Sequence, residues 1–162
     1  MDTINYFLFE TDFVEDNIRC IPMVVRMKLD LVGIKMSLAA WSRCTAAQRK
    51  ELVDAACKTS SEKWQFAKLT EKVIRTITGE PPVLIAVEKN QFWEDLAEVP
   101  EPLVKQAALY GLTISVVQWQ ALTPLQRFAL VKLCRPGHEN RNFPFAMQEF
   151  GLAEHLPINA LL

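Results

Sequence analysis

The chain has 162 residues, 50% of them hydrophobic and 23% charged, which excludes disordered and fibrous classes and predicts a single globular domain over residues 1–162. Eighteen Lys and Arg against nineteen Asp and Glu leave a net charge of -1, so no positive surplus is available for a phosphate backbone and nucleic acid is not an expected partner. The longest apolar run, residues 83–87, is about a quarter of a membrane span, and Met1, Asp2 and Thr3 lack the basic start of a secretory signal, so the expectation is a cytoplasmic protein without a membrane partner.

In chain order, Tyr6, Leu8 and Glu10 alternate with Phe7, Phe9 and Thr11, which predicts a short extended N-terminal segment, with coiling of residues 7–13 as the alternative. Residues 23–32 follow Pro22 as a helix, and Gly33 then supplies a left-handed stop before apolar Ile34. Ser37 suits the N-cap of a short turn that carries Trp41. Thr45 with Gln48 has the spacing of a capping box, opening a helix over about residues 46–56. Thr59 with Glu62 repeats the pattern, and Phe66, Leu69, Val73 and Ile77 form the apolar face of a long helix that ends at Gly79. Glu80, Pro81 and Pro82 break the chain. Residues 83–88 read as a short strand or an extended connector, and residues 91–98 as one or two helical turns around Phe92, Trp93 and Leu96. A helix over residues 103–110, a stop at Gly111, a cap at Ser115 and a capping box at Thr123 and Gln126 follow, the last with Pro124 at the first helical position. The tail has one predicted helix, over residues 145–150.

The second half of this order echoes the first. Residues 22–55 placed over residues 100–133, at an offset of 78, match at ten of thirty-four positions without a gap, where average usage gives roughly two. The identities include Gly33 and Gly111, Ser37 and Ser115, Trp41 and Trp119, Thr45 and Thr123, Gln48 and Gln126, and Arg49 and Arg127. The fold expected is therefore mainly all-α: two duplicated helix-turn-helix units in a pseudo-twofold relation, sharing one core.

Few residues suggest chemistry. Arg135, Pro136, Gly137, His138, Glu139, Asn140 and Arg141 form the densest polar cluster; it reads either as an anion or partner contact or as a solvated loop whose Arg135 and His138 meet the last helix carbonyls and whose Asn residues cap the next turn. Cys20, Cys44, Cys57 and Cys134 lack any close-spaced pair, so neither a metal nor a disulfide is expected, and Cys134 falls on an apolar helix face where a thiol acts as a small hydrophobe. No glycine-rich phosphate loop, nucleophile elbow or dinucleotide fingerprint is present. Trp41 and Trp119, each followed eight residues later by Arg49 or Arg127, line two equivalent pockets or build the core; large aromatics at repeat positions favour the core. Glu10, Asp12, Glu15 and Asp16 read as a solvated acidic face balanced by Arg19, Arg26, Lys28 and Lys35.

Phe9, Glu10 and Phe13, then Arg19, Cys20, Pro22, Met23, Arg26, Lys28, Asp30, Gly33 and Lys35, together with Trp119, Gln120, Thr123, Pro124, Gln126, Arg127, Phe128 and Lys132 and the loop Arg135 to Phe143, resemble the two ends of the nitrate reductase associated protein family of cyanobacterial type. The resemblance implies a small cytoplasmic, non-catalytic accessory protein of nitrate assimilation, with a molybdenum-dependent, ferredoxin-using assimilatory nitrate reductase as its protein partner and no cofactor of its own. The family supplies no catalytic residue to carry over. The residues expected to meet the partner are Phe9, Glu10, Phe13, Arg19 and Arg26 near the N-terminus and Arg135, His138, Glu139 and Arg141 in the loop. The alternative is a carrier of a molybdopterin-type cofactor whose phosphate meets Arg135, His138 and Arg141. Sequence leaves the oligomeric state open.

Overall fold

A computed structural model describes residues 6–10 and 20–154 of the chain, which divides into two compact units, Met1–Lys89 and Asn90–Leu162. The architecture is mainly α-helical, with one two-stranded sheet among the described residues.

In the first unit, α1 (Met23–Val32) ends at Gly33, whose φ of 70° and N–H bond to the Leu29 carbonyl make the left-handed stop expected of it. The chain continues directly into β1 (Ile34–Lys35). Ser37 then caps α2 (Leu38–Arg43), its Oγ accepting from the Ala40 amide. Full capping boxes at Thr45 and Thr59 open α3 (Ala46–Asp54) and the nineteen-residue α4 (Ser60–Thr78). Each box satisfies amides that a helix start leaves orphaned, which is why four local residues set each boundary. After Gly79, β2 (Val83–Leu84) pairs antiparallel with β1, Ile34 opposite Leu84 and Lys35 opposite Val83. This settles residues 83–84 as strand. α4 packs on α1, α2 and α3, and the core between them holds Val25, Leu29, Ile34, Trp41, Leu52, Phe66, Val73 and Ile74. The predicted face of α4 is kept, with Phe66 and Val73 buried while Leu69 and Ile77 pack at its edge.

The N-terminal segment differs from expectation. Leu8–Glu10 is a 3₁₀ turn, the coiled alternative and not the extended segment, and Glu10 is buried. Alternating apolar residues give no strand without a partner edge; here the segment instead closes a turn in which the Phe7 amide donates to Glu10 Oε2 at 3.2 Å and the Met23 amide to Oε1 at 2.7 Å.

In the second unit a 3₁₀ turn at Phe92–Glu94 precedes α5 (Glu101–Leu109), α6 (Val116–Ala121) and α7 (Pro124–Leu133). α5, α6 and α7 begin 78 residues after the starts of α1, α2 and α3. At the end of α5 the Gly111 amide reaches the Ala108 carbonyl and the Leu112 amide the Ala107 carbonyl, both at 3.0 Å. Ser115 with Gln118 forms a full capping box and not only the expected serine cap, and Thr123 with Gln126 forms the predicted box. A 3₁₀ turn over His138–Asn142 leads into α8 (Phe143–Glu149). α7 packs against the Phe92–Glu94 turn, α5, the 138–142 turn and α8. Trp93, Leu103, Trp119, Phe128, Leu130, Leu133, Phe143 and Met147 are each at most 1% exposed, and Trp93 meets Phe128 edge-to-face at 5.0 Å.

Candidate partner-binding surfaces

The nine residues proposed from sequence fall on both units: Phe9, Glu10 and Arg26 on the first, Arg135, His138, Glu139 and Arg141 on the second. Phe13 and Arg19 lie outside the described residues, as do Asp12, Glu15 and Asp16.

Glu10 and Arg26 gather at the start of α1. Pro22 precedes that helix and offers no side-chain cap, so the Glu10 carboxylate, thirteen residues upstream of Met23, takes the role by accepting the first helical amide. Arg26, half-buried, turns its Nε back to the Ile21 carbonyl at 2.8 Å. Phe9 is half-buried and stacks on Phe7 with centroids 5.4 Å apart. Glu10 is thus a helix-capping group buried in the fold and not part of a solvated acidic face, because an N-terminus with no local cap is a stronger site for a carboxylate than water-exposed chain.

The second cluster begins where α7 ends. Gly137 opens it with a φ of 140°, a backbone only glycine adopts readily. Asn140 clamps the turn: its Nδ2 donates to the Leu133 carbonyl at 3.1 Å, and its Oδ1 accepts from Gln106 Nε2 at 3.3 Å. The Leu133 carbonyl at the end of α7 is thus bonded by Asn140, and Asn142 forms no side-chain cap on α8. Arg135 and Arg141 are both exposed, so each guanidinium is placed to meet a carboxylate or phosphate from outside. His138 and Glu139 open the turn in the backbone.

Sequence reasoning missed several long-range hydrogen bonds that hold each unit together. Lys28 lies on α1 between buried Val25 and Leu29, and its Nζ donates to the carbonyls of Leu52 at 3.2 Å and Val53 at 2.6 Å, 5.7 Å from the Phe66 ring centre. Burial lowers its pKa, opposed by the charges of Cys57 and Asp54. Its signal in the sequence was a cation at an apolar position of the helix. In the second unit Arg127 is buried, donates Nε to the Trp93 carbonyl at 2.6 Å and Nη1 to the Leu122 carbonyl, and lies over the Trp119 ring. Burial lowers its pKa too, with Glu94 pulling it back up. Trp119 Nε1 donates to the Asp95 carbonyl at 2.9 Å and Gln120 Nε2 to the Leu96 carbonyl at 3.0 Å. Trp41 and Trp119 are core residues, 2% and 0% exposed.

The four cysteines are free thiols. Burial pushes the pKa of Cys134 up to about 12, while its Sγ donates to the Leu130 carbonyl at 3.2 Å. Burial also raises Cys44 and Cys57, against lowering by Arg49 at the first and by Lys28 and Lys63 at the second. A thiol held protonated in this way is a weak nucleophile at neutral pH. Among the described residues no group of three or more His, Cys, Asp or Glu side chains is placed to hold a metal ion, and no helix is long and apolar enough to cross a membrane. What the exposed groups offer is charge-assisted recognition of another molecule.

No curated protein and no solved structure matches the chain. The model of the conserved nitrate reductase-associated protein family matches residues 6–150, and it is to this family that the chain belongs.

Proposed function

We propose that the protein is a non-catalytic accessory factor of nitrate assimilation that binds a molybdenum-dependent assimilatory nitrate reductase and helps it mature or become active. The observation that carries the reading is membership, over residues 6–150, of a family described as associated with nitrate reductase. The exposed Arg135 and Arg141 and the half-buried Phe9 and Arg26 supply the contacts, while Glu10 holds the N-terminal turn against α1. Residues 22–55 and 100–133 act as two copies of one helical scaffold, a duplicated frame that presents loops to the partner. Near-neutral charge suits such a factor, since docking on a protein uses local patches and no strong overall field.

Co-purification of the two proteins from cells grown on nitrate tests the binding. A strain lacking this protein, assayed for reductase activity and molybdenum content, tests the consequence. The expected result is reductase protein present with activity or molybdenum content reduced. Full activity and normal metal content in that strain refute the accessory role.

A further inference from the structure

The outward face of α4 carries an unusual combination. Trp64 is 64% exposed, and Lys68, Glu71, Lys72 and Arg75 lie with it within about 100° of the helix circumference, opposite buried Phe66, Thr70, Val73 and Ile74. Lys68 Nζ is 5.7 Å from the Trp64 ring centre. Glu71 is shared between Lys68 at 3.7 Å and Arg75 at 3.1 Å. One carboxylate thus partly neutralises two cations, and Lys72 makes no ion pair with the described residues. On this face three cations, Lys68, Lys72 and Arg75, stand against one carboxylate, Glu71, in a chain of net charge -1. The patch is therefore locally basic and has one large aromatic at its edge.

We propose that this face docks an acidic surface of the nitrate reductase, with Trp64 seated in an apolar recess and Lys68, Lys72 and Arg75 meeting carboxylates around it. The assignment rests on the reductase-binding reading above and adds a surface to the contacts named there. Charge selects the occupant. A second copy of the chain meeting this face about a twofold axis would set Lys68 and Lys72 against the same cations. A lipid surface would need a broader apolar stripe than a single Trp provides. A partner rich in Asp and Glu satisfies Lys72 and the charge of Lys68 and Arg75 that the single Glu71 leaves over, and an exposed Trp flanked by cations has the composition of an interface anchor.

Calorimetric titration of the full-length protein into purified assimilatory nitrate reductase tests the assignment. Trp64→Ala should weaken binding at least tenfold. Lys72→Glu should weaken it several-fold and flatten its dependence on salt. Both side chains are exposed, so helix content by circular dichroism should match the parent protein. If the parent binds and both variants bind equally well, the α4 face is wrong and the accessory role survives. If the parent fails to bind, the reading of the partner falls and this proposal with it. Loss of self-association in Trp64→Ala, or loss of sedimentation with anionic phosphatidylserine vesicles, would identify a second copy or a lipid surface as occupant and overturn the proposal.

Discussion

Gly33 and Gly111 occupy matched positions, share a left-handed backbone with φ of 70° and 68°, and should respond differently to the same substitution. An alanine in that conformation costs about 1–2 kcal/mol, offset by about 0.4–1 kcal/mol because alanine also restricts the unfolded chain. Around Gly111 nothing lies within 4 Å of an added Cβ, so Gly111→Ala should cost roughly 1 kcal/mol in all. At Gly33 the same Cβ would stand 2.6 Å from the Ile85 carbonyl oxygen and 2.8 Å from Val87 Cγ2. The first neighbour is backbone and cannot swing away. Relief requires the residues after β2 to withdraw, which breaks the 2.8 Å bond from the Ile85 amide to the Gly33 carbonyl and loosens the Ile34–Leu84 and Lys35–Val83 pairings. At about 0.5–1.5 kcal/mol per backbone hydrogen bond, losing two of them raises the cost of Gly33→Ala to about 3 kcal/mol. Urea unfolding followed by far-ultraviolet circular dichroism reads both values, and hydrogen exchange at the Ile85 amide reports local opening. Equal destabilisation of the two variants, or unchanged protection at Ile85, would show that β2 does not hold Gly33 to glycine.

Three further outcomes follow from the buried groups. Trp41→Ala and Trp119→Ala should each destabilise by about 3–5 kcal/mol in urea titrations, as removal of a buried aromatic does; unchanged stability in either would undo its place in the core. Glu10→Ala should cost about 2 kcal/mol, since it removes a cap and leaves the Met23 amide without its acceptor, and exchange at Met23 should quicken while amides of α3 stay protected. The unfolding midpoint should fall as pH rises above 9. Cys134 keeps its proton to about 12 in the folded state but to an ordinary value of 9.0 when unfolded, so the unfolded state loses the proton first and stability present below pH 9 is lost between pH 9 and 12, at up to about 1.4 kcal/mol per pH unit. Cys44 and Cys57 act in the same sense, whereas Lys28, whose pKa burial lowers, acts in the opposite sense up to its ordinary 10.5. Cys134→Ala should flatten the slope, and an unaltered slope would show that this thiol is not the group responsible.

What the sequence made legible was local. A serine or threonine followed three residues later by Gln or Glu gave the starts of α3, α4 and α7, because a capping box closes within one turn and needs nothing else from the fold. Gly33 and Gly79 marked helix ends for the same reason. The interactions that were not legible span long separations. Glu10 reaches Met23, Lys28 reaches Leu52 and Val53, Arg127 reaches Trp93, and Asn140 reaches Gln106. In each a polar side chain satisfies a backbone or amide group that its own surroundings leave unpaired, and periodicity records only that the side chain lies near an apolar face. The N-terminal turn shows the consequence: alternation of Phe and Leu suggested an extended segment, but the buried end of α1 had a stronger claim on Glu10. For the candidate surfaces, sequence located Arg135, Arg141 and Asn140 but read Asn140 as a cap of the next turn, and not as bonded to Leu133 and Gln106, the two hydrogen bonds that shape the turn displaying the arginines. It also passed over Trp64, because an exposed aromatic carries no periodic signal.

The two matched stretches also differ in a way that bears on how many partners one chain binds. Identities between them concentrate at caps, stops and the core: Ser37, Trp41, Thr45, Gln48 and Leu52 against Ser115, Trp119, Thr123, Gln126 and Leu130. Even an identical residue is used differently. Arg127 is bonded to two carbonyls, whereas Arg49 Nη1 is buried without a hydrogen-bond partner among the described residues. Continuing the same offset past the matched stretches, Trp64, Lys68 and Lys72 fall opposite Asn142, Ala146 and Phe150, and Ala146 is buried in its unit. The second unit thus has no basic, tryptophan-bearing counterpart to the outward face of α4. A scaffold with two equal faces would bind two partners; one with a single such face binds one. The stoichiometry expected in the calorimetric titration is one reductase chain per molecule of this protein, and a ratio of two would place binding on features that the two stretches share.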